Sequence, residues 1–190
     1  MPRDSHDRRA GISDDLAYLR GSYPRPAWRA HRNFGELSAF WLHVHDHLRA
    51  SAAELGRLTP AFREGQVDPD NFQRAFVPRF NEFLQHLNGH HQIEDRHYFP
   101  RFRALDPRMA AGFDLLDADH HQIHEALIAS ARSAQALLNA IREDPGAVRS
   151  AGDAHAADAE RLQLLITRHL ADEEDLVLPA MLHHGERSLA

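Results

Sequence analysis

Two stretches of the chain place a glutamate four residues after a histidine and a proline six residues after the glutamate. They are His90, Glu94 and Pro100, and again His169, Glu173 and Pro179. Residues four apart share one face of a helix, about 6 Å apart along its axis. Each pair can therefore serve one site. A third pair of that spacing, His120 and His124, and a single histidine, His45, complete a set of five imidazoles and two carboxylates. Turned inward without partners, such groups cost on the order of 1–3 kcal/mol each. Coordination of a metal removes that cost. Seven ligands are too many for a closed tetrahedral zinc site and too rich in nitrogen for calcium or magnesium. Two facing carboxylates can each bridge two metal ions, and the histidines then divide three and two. Imidazole with carboxylate suits iron, with zinc and manganese as competitors.

The two halves of the chain differ in one instructive place. The 45-residue step from His45 to His90 equals the step from His124 to His169. His124 thus corresponds to His45, and His120 corresponds to Trp41. The first half has a bulky apolar residue where the second has a histidine. One metal is left a ligand short, and an open position beside Trp41 can take a small diatomic molecule.

Helices must position these residues. Asn33 can cap a first helix, along which Phe34, Leu37, Trp41, Val44, Leu48 and Leu55 follow a 3–4 spacing to about Leu58. On a helical wheel His45 lies about 70° from the centre of that stripe, His47 about 90° and His43 about 130°. A loop is expected over Thr59–Asp70, then a second helix from Asn71 with a kink or a fresh start at Pro78 and an end or bend at Pro100. Asp106-Pro107 suits the start of a third helix. That helix carries Phe113, Leu116, His120, Ile123, His124, Leu127, Ala131, Ala134, Leu138 and Ile141 along one side, and Asp144-Pro145-Gly146 breaks it. Gly152-Asp153 opens a fourth, with Leu162, Leu165, Ile166, His169, Glu173 and Leu176 as its stripe. Four amphipathic helices without strand-like alternation predict an all-α, up-down-up-down four-helix bundle over residues 33–182. An N-terminal arm over residues 1–32 packs across it through Tyr18, Leu19 and Trp28, or is partly disordered, and a tail covers residues 183–190.

Composition narrows the function. The 190 residues suffice for one domain with a real core. A net charge of −6 argues against nonspecific nucleic-acid binding. Cysteine is absent, which excludes thiolate catalysis, iron–sulfur clusters and disulfide scaffolds. No apolar run could span a bilayer and the first ten residues lack the apolar core of a signal peptide, so a cytoplasmic protein is expected.

There are 16 histidines, and most have a plain reading. His6, His31, His97, His121, His155, His183 and His184 are expected at the surface. His91 could replace His90, being three before Glu94, but the repeat with His169 favours His90. His86, one turn before His90, could be a group behind the ligands or a substitute ligand. Glu174 and Asp175 rotate away from Glu173 and suit a solvated face. Asp46, Asp119 and Glu125 could orient ligand imidazoles.

The ordered set resembles the hemerythrin-like domain, also called the HHE cation-binding domain. It has a histidine on helix one, H-x3-E on helix two, H-x3-H on helix three and H-x3-E on helix four. The segment around Phe40-Trp41-Leu42, His45-Asp46 and Leu48-Arg49 is also similar to the family's first helix. The resemblance covers about residues 33–182. It implies a helical bundle holding a non-haem di-iron centre. His120, His124 and His169 would hold one iron, His45 and His90 the other, and Glu94 and Glu173 would bridge them with a solvent-derived oxo or hydroxo bridge. It further implies binding or sensing of dioxygen or another diatomic at the open iron. Five neutral imidazoles favour binding over oxidative turnover compared with a carboxylate-rich site. The alternatives are an enzyme acting on peroxide or nitric oxide, with His86 or His47 to move protons, and an iron storage or handling protein. Relatives that repair iron centres carry cysteines in an N-terminal segment, and this chain has none. No receptor, kinase or ubiquitin-ligase segment is attached, so a multidomain sensor is not expected.

Overall fold

A computed structural model describes residues 11–189. The expected arm over residues 1–32 thus lies partly outside the described residues. Five α-helices carry the described residues: α1 (Glu36–Arg63), α2 (Pro69–Ile93), α3 (Phe99–Leu105), α4 (Ala110–Glu143) and α5 (Val148–His184). Short 3-10 turns cover Arg25–Ala30, Pro107–Met109, Pro145–Ala147 and Glu186–Leu189. Among the described residues there is no strand, and no helix is long and apolar enough to cross a membrane.

The prolines break less than their sequence positions suggest. Pro60, Pro78 and Pro179 all lie inside helices. A proline removes one backbone bond, and the apolar stripes on either side outweigh that loss here. The loop expected over Thr59–Asp70 shortens accordingly. Gly65 is what ends α1. It takes φ +73°, and the amides of Gly65 and Gln66 return to the carbonyls of Phe62 and Ala61. That left-handed stop is one glycine adopts at no steric cost. The fourth of the expected helices starts earlier than Gly152, at Val148, after Asp144 accepts the Gly146 amide.

The largest departure is at the end of α2. Residues Glu94–Tyr98 form a π turn, with the Phe99 amide donating to the Glu94 carbonyl. Pro100 falls in the first turn of α3, where a missing N–H costs little. The buried side chains record the extra residue. Phe83, Leu87, His91 and Glu94 follow 3–4 spacing, and the next buried positions are Phe99 and Phe102. A π turn inserted in a helix commonly marks a functional site.

Contacts divide the chain into two compact units. One takes in the described residues up to Asp46, His90–His120, and those from Thr167 on. Its core joins Trp28, Trp41, Phe99, Phe102, Met109, Phe113, Leu116 and the Leu176–Leu178 run. Arm residues Ile12, Ala17 and Leu19 are buried in the same core. The other unit comprises His47–Gly89 and His121–Ile166. It is built on a file of stacked rings, Phe62, Phe72, Phe76 and Phe80, with centroids 4.4, 5.0 and 4.9 Å apart. His155, expected at the surface, is buried edge-on against Phe76 and Phe80, with Nδ1 3.2 Å from the Ser133 hydroxyl.

Glu186 closes the start of α1. Its carboxylate accepts from the amides of Gly35, Leu37 and Ser38 at 2.9, 3.1 and 2.7 Å. A Cβ at Gly35 would collide with that carboxylate. The first amides of a helix have no partner within it, and a negative charge there is favourable. Burial works to raise the Glu186 pKa, but the amides and the Ser38 side chain outweigh it and hold it below the usual glutamate value. A depressed carboxyl contributes stability above its unfolded pKa and loses it as pH falls through the folded one. Glu186→Ala is expected to cost about 1 kcal/mol at pH 7. Urea unfolding should show the difference from wild type shrinking below about pH 4.

Candidate metal centre

The first unit gathers a dense set of buried ionisable groups. His45, Glu94, His120, His169 and Glu173 are at most 4% exposed, and His91 is 8%. α1 supplies His45, on a buried stripe with Ser38, Trp41 and Leu48. α2 and the π turn supply His90, His91 and Glu94, α4 supplies His120, and α5 supplies His169 and Glu173.

Their potential ligand atoms fall into overlapping groups. His45, His90, Glu94 and Glu173 each offer one atom within 4.8 Å of the others. So do Glu94, His120, His169 and Glu173, and so do His91, His120 and His169. The first two groups share both carboxylates. Individual distances are short: His45 Nε2 to Glu173 Oε1 is 3.3 Å, His169 Nε2 to Glu173 Oε2 is 3.3 Å, and His90 Nδ1 to Glu94 Oε1 is 3.1 Å. His120 Nε2 lies 3.0 Å from His169 Nε2 and 3.6 Å from Glu94 Oε2.

Six of the seven expected ligands are therefore brought together, and His124 is not. It is exposed on α4. His91 stands in the gathering instead. Its ring stacks on His120 with centroids 4.0 Å apart and meets His169 edge-on at 5.3 Å. His90 meets His45 at 5.2 Å. The expectation that either His90 or His91 turns inward is replaced by both. Successive helix residues diverge by about 100°, so a helix aimed between the two halves sends one imidazole to each. His86 and His47 pair with each other at 5.0 Å between rings and belong to none of these groups.

The outward edges of the imidazoles are held by acids. Asp95, carried by the π turn, lies 2.7 Å from His120 Nδ1. Asp119, buried, lies 3.8 Å from His169 Nδ1. Glu174 lies 3.1 Å from His45 Nδ1. Glu174 was expected on a solvated face, yet its side chain is only 3% exposed. Carboxylates in these places fix the ring tautomer and raise ligand basicity. Trp41 is more than a bulky neighbour, because its indole N–H donates to Glu173 Oε1 at 2.6 Å. Asp46 and Glu125 are exposed.

Charge inside the centre is finely divided. Burial, and the nearby Glu173, push Glu94 well above the usual glutamate value. Burial acts the same way on Glu173, but His45, His169 and His90 outweigh it and hold that carboxyl well below. His45 is raised to about 9, since Glu173 and Glu174 overcome its burial. Burial lowers His90 to about 3 and His91 far below the ordinary histidine value.

Many of these groups have no hydrogen-bond partner. His45 Nε2, His90 Nε2, His91 Nε2, both Glu94 oxygens and Glu173 Oε2 are fully buried without one. Buried polar atoms in native proteins are nearly always satisfied. Orphans converging from four segments fit a cation: imidazole nitrogen and carboxylate oxygen are donors suited to iron, zinc or manganese.

Residues 36–181 match the family model described as the hemerythrin HHE cation-binding domain. The chain belongs to that family. No curated protein and no solved structure gives a significant match. The HHE domain thus accounts for the cation that the orphaned donors require. Its matched span takes in α1 from its first residue and α5 to within three residues of its end. The segment before Glu36, including the arm that packs on α5, lies outside it.

Sequence reasoning ranked His91 below His90, put Glu174 on a solvated face, and missed Asp95 and the hydrogen-bonding role of Trp41. For His91 a signal existed: Leu87, His91 and Glu94 keep 3–4 spacing, and Phe99 then falls one residue late. For Asp95 and Glu174 there was none beyond their position next to a ligand.

Proposed function

We propose that this HHE domain holds two iron ions and binds or senses dioxygen, or another small diatomic. His91, His120 and His169 serve one ion, His45 and His90 the other, and Glu94 and Glu173 serve both, with a solvent-derived oxo or hydroxo bridge completing the pair. The observation that carries this reading is the sharing of Glu94 and Glu173 between two groups of ligand atoms. The up-down-up-down four-helix arrangement, with the bundle over residues 33–182, is part of the same reading.

A ferrous pair supplies reversible affinity for dioxygen. The chain supplies the setting. Two histidines against three leave the His45–His90 side a ligand short. Trp41 lies beside it, with ring centroids 6.3 Å from His45, 4.9 Å from Tyr98 and 6.4 Å from Phe102. These rings form an aromatic wall on that side of the centre. The Trp41 N–H is committed to Glu173, so Trp41 aims no proton donor into the site, which favours binding over turnover.

The test is the visible spectrum of the anaerobically reconstituted ferrous protein. A charge-transfer band that forms with oxygen and disappears on deoxygenation supports the reading. Direct, irreversible conversion to a ferric form rejects it.

The proton inventory adds a pH dependence. Imidazoles must be neutral to ligate. His45 without metal keeps its proton up to about pH 9. Metal uptake at pH 7 is therefore expected to release protons, and apparent affinity should rise with pH until about 9. Titration in weakly buffered solution with a pH indicator measures the release. Uptake without release at pH 7 contradicts the assignment of His45.

A further inference from the structure

The acidic run Asp172-Glu173-Glu174-Asp175 on α5 is divided between two tasks. Glu173 faces the metal centre. The other three meet the arm that precedes α1. The Ile12 amide donates to Asp172 Oδ1 at 2.7 Å, and Arg20 Nη1 reaches Asp175 Oδ2 at 3.2 Å. Arg25 makes the most complete contact. Its Nε donates to Asp175 Oδ1 at 2.8 Å, its Nη1 to Glu174 Oε2 at 2.6 Å, and its Nη2 to the Ala171 carbonyl at 2.8 Å. The guanidinium also lies 5.1 Å over the Trp28 ring, and Trp28 is itself fixed by its N–H on the Tyr23 carbonyl at 2.7 Å. All three guanidinium nitrogens are thus engaged, and the plane is set by the ring beneath it.

Glu174 passes this order inward. One carboxylate oxygen is taken by Arg25 and the other lies 3.1 Å from His45 Nδ1. A carboxylate can only accept, so Nδ1 carries the proton. In the neutral ring that a cation requires, Nε2, 3.3 Å from Glu173 Oε1, is then left with its lone pair toward the ligand cluster. The opposite tautomer would turn an N–H on a cation. A charged, doubly anchored carboxylate behind an imidazole excludes that tautomer and holds the ring's angle. Arginine suits the task because its planar fork binds two acceptors at once, whereas lysine offers a point charge.

We propose that Arg25 is a positioning residue of the metal centre. Acting through Glu174, it holds His45 with Nε2 presented to the cation on the two-histidine side, so that the arm is a working part of the centre. Arg25 lies outside the span that matches the family model. The proposal rests on the reading of the buried cluster as a two-metal centre.

Anaerobic calorimetric titration of the full chain with ferrous ion tests it, in wild type, Arg25→Gln, Glu174→Gln, the double variant, and Arg20→Gln. Arg20 ties the arm to the same helix without touching Glu174, and so controls for general loosening. Wild type is expected to take two ions. Arg25→Gln should weaken one of them about tenfold or more and leave the other unchanged. The double variant should lose no more than Glu174→Gln alone, because the two side chains act along one path. Arg20→Gln should match wild type. Equal binding by Arg25→Gln and wild type overturns the proposal. So does an equal loss in Arg20→Gln, or full additivity of the two changes. If wild type itself takes no second ion, the two-metal reading falls and the role of Arg25 falls with it. That outcome is told apart by the wild-type trace alone.

Discussion

Glu173→Gln is expected to abolish loading of two metal ions while leaving the protein folded. Glu173 is the point where the groups of the centre meet. It lies 3.3 Å from both His45 and His169, shares both four-residue groups with Glu94, and accepts the Trp41 N–H at 2.6 Å. The amide keeps an oxygen for Trp41 but removes the charge and one ligand oxygen. Two ferrous ions carry four positive charges. Removing one of two neutralising carboxylates from a fully buried site leaves charge that the low dielectric punishes. The loss should exceed the roughly 10–100-fold that follows from losing a group behind a ligand. Metal content after desalting, with circular dichroism as the check on folding, measures it. Two ions retained in Glu173→Gln would remove Glu173 from its bridging place.

The second large effect separates two histidines that the sequence and the structure rank differently. His91→Ala is expected to lose the ion of the three-histidine side, and His124→Ala to lose nothing. His91 is buried with its ring stacked on His120 and its Nε2 without a partner, whereas His124 is exposed. The paired variants carry the same chemical change, and only position differs. Iron per chain for each variant, measured after identical reconstitution, decides the matter. A loss in His124→Ala with none in His91→Ala would restore the H-x3-H pair on α4.

The difference over His124 lies in which residues define a stripe. Reading Leu127, Ala131 and Leu138 as the inner face of α4 tilts the wheel toward His124. In the structure those three are only partly buried, and the fully buried line runs through Leu116, Ile123, Ala126, Ser130, Ala134 and Leu137. Small residues occupy its middle and large ones flank it. Measured from that line, His124 lies about 110° away and His120 about 70°. The site on α1 was legible by a small margin: His45 lay about 20° closer to the stripe than His47 on the wheel, and it is buried on one stripe with Trp41 and Leu48. The helical class and the H-x3-E pairs were legible for the same reason: both follow from a fixed helical period. The π turn was not, since it alters the period locally over Glu94–Tyr98. It also makes the two repeats unequal: Pro100 follows a π turn, while Pro179 lies within an uninterrupted α-helix. Partners distant in sequence, such as Arg25 on Glu174 or Glu186 on the start of α1, depend on tertiary placement and leave no local pattern.

The acids behind the ligands tie the reading together. His120, His169 and His45 each have a carboxylate at Nδ1, namely Asp95, Asp119 and Glu174. Three acids placed on the outer edges of three rings whose other edges converge is the arrangement of imidazoles that serve a cation. A core whose histidines were merely hydrogen-bonded to one another would leave no orphaned Nε2 atoms, and His45, His90 and His91 each have one.

The central claim is that two metal ions share Glu94 and Glu173. Mössbauer spectroscopy of the oxidised protein, reconstituted with iron-57 and freed of loose metal, tests it most directly. Two irons per chain with a diamagnetic ground state, the mark of two ferric ions coupled through shared ligands, is the predicted result. One iron per chain, or two that behave as isolated paramagnetic ions, would contradict it.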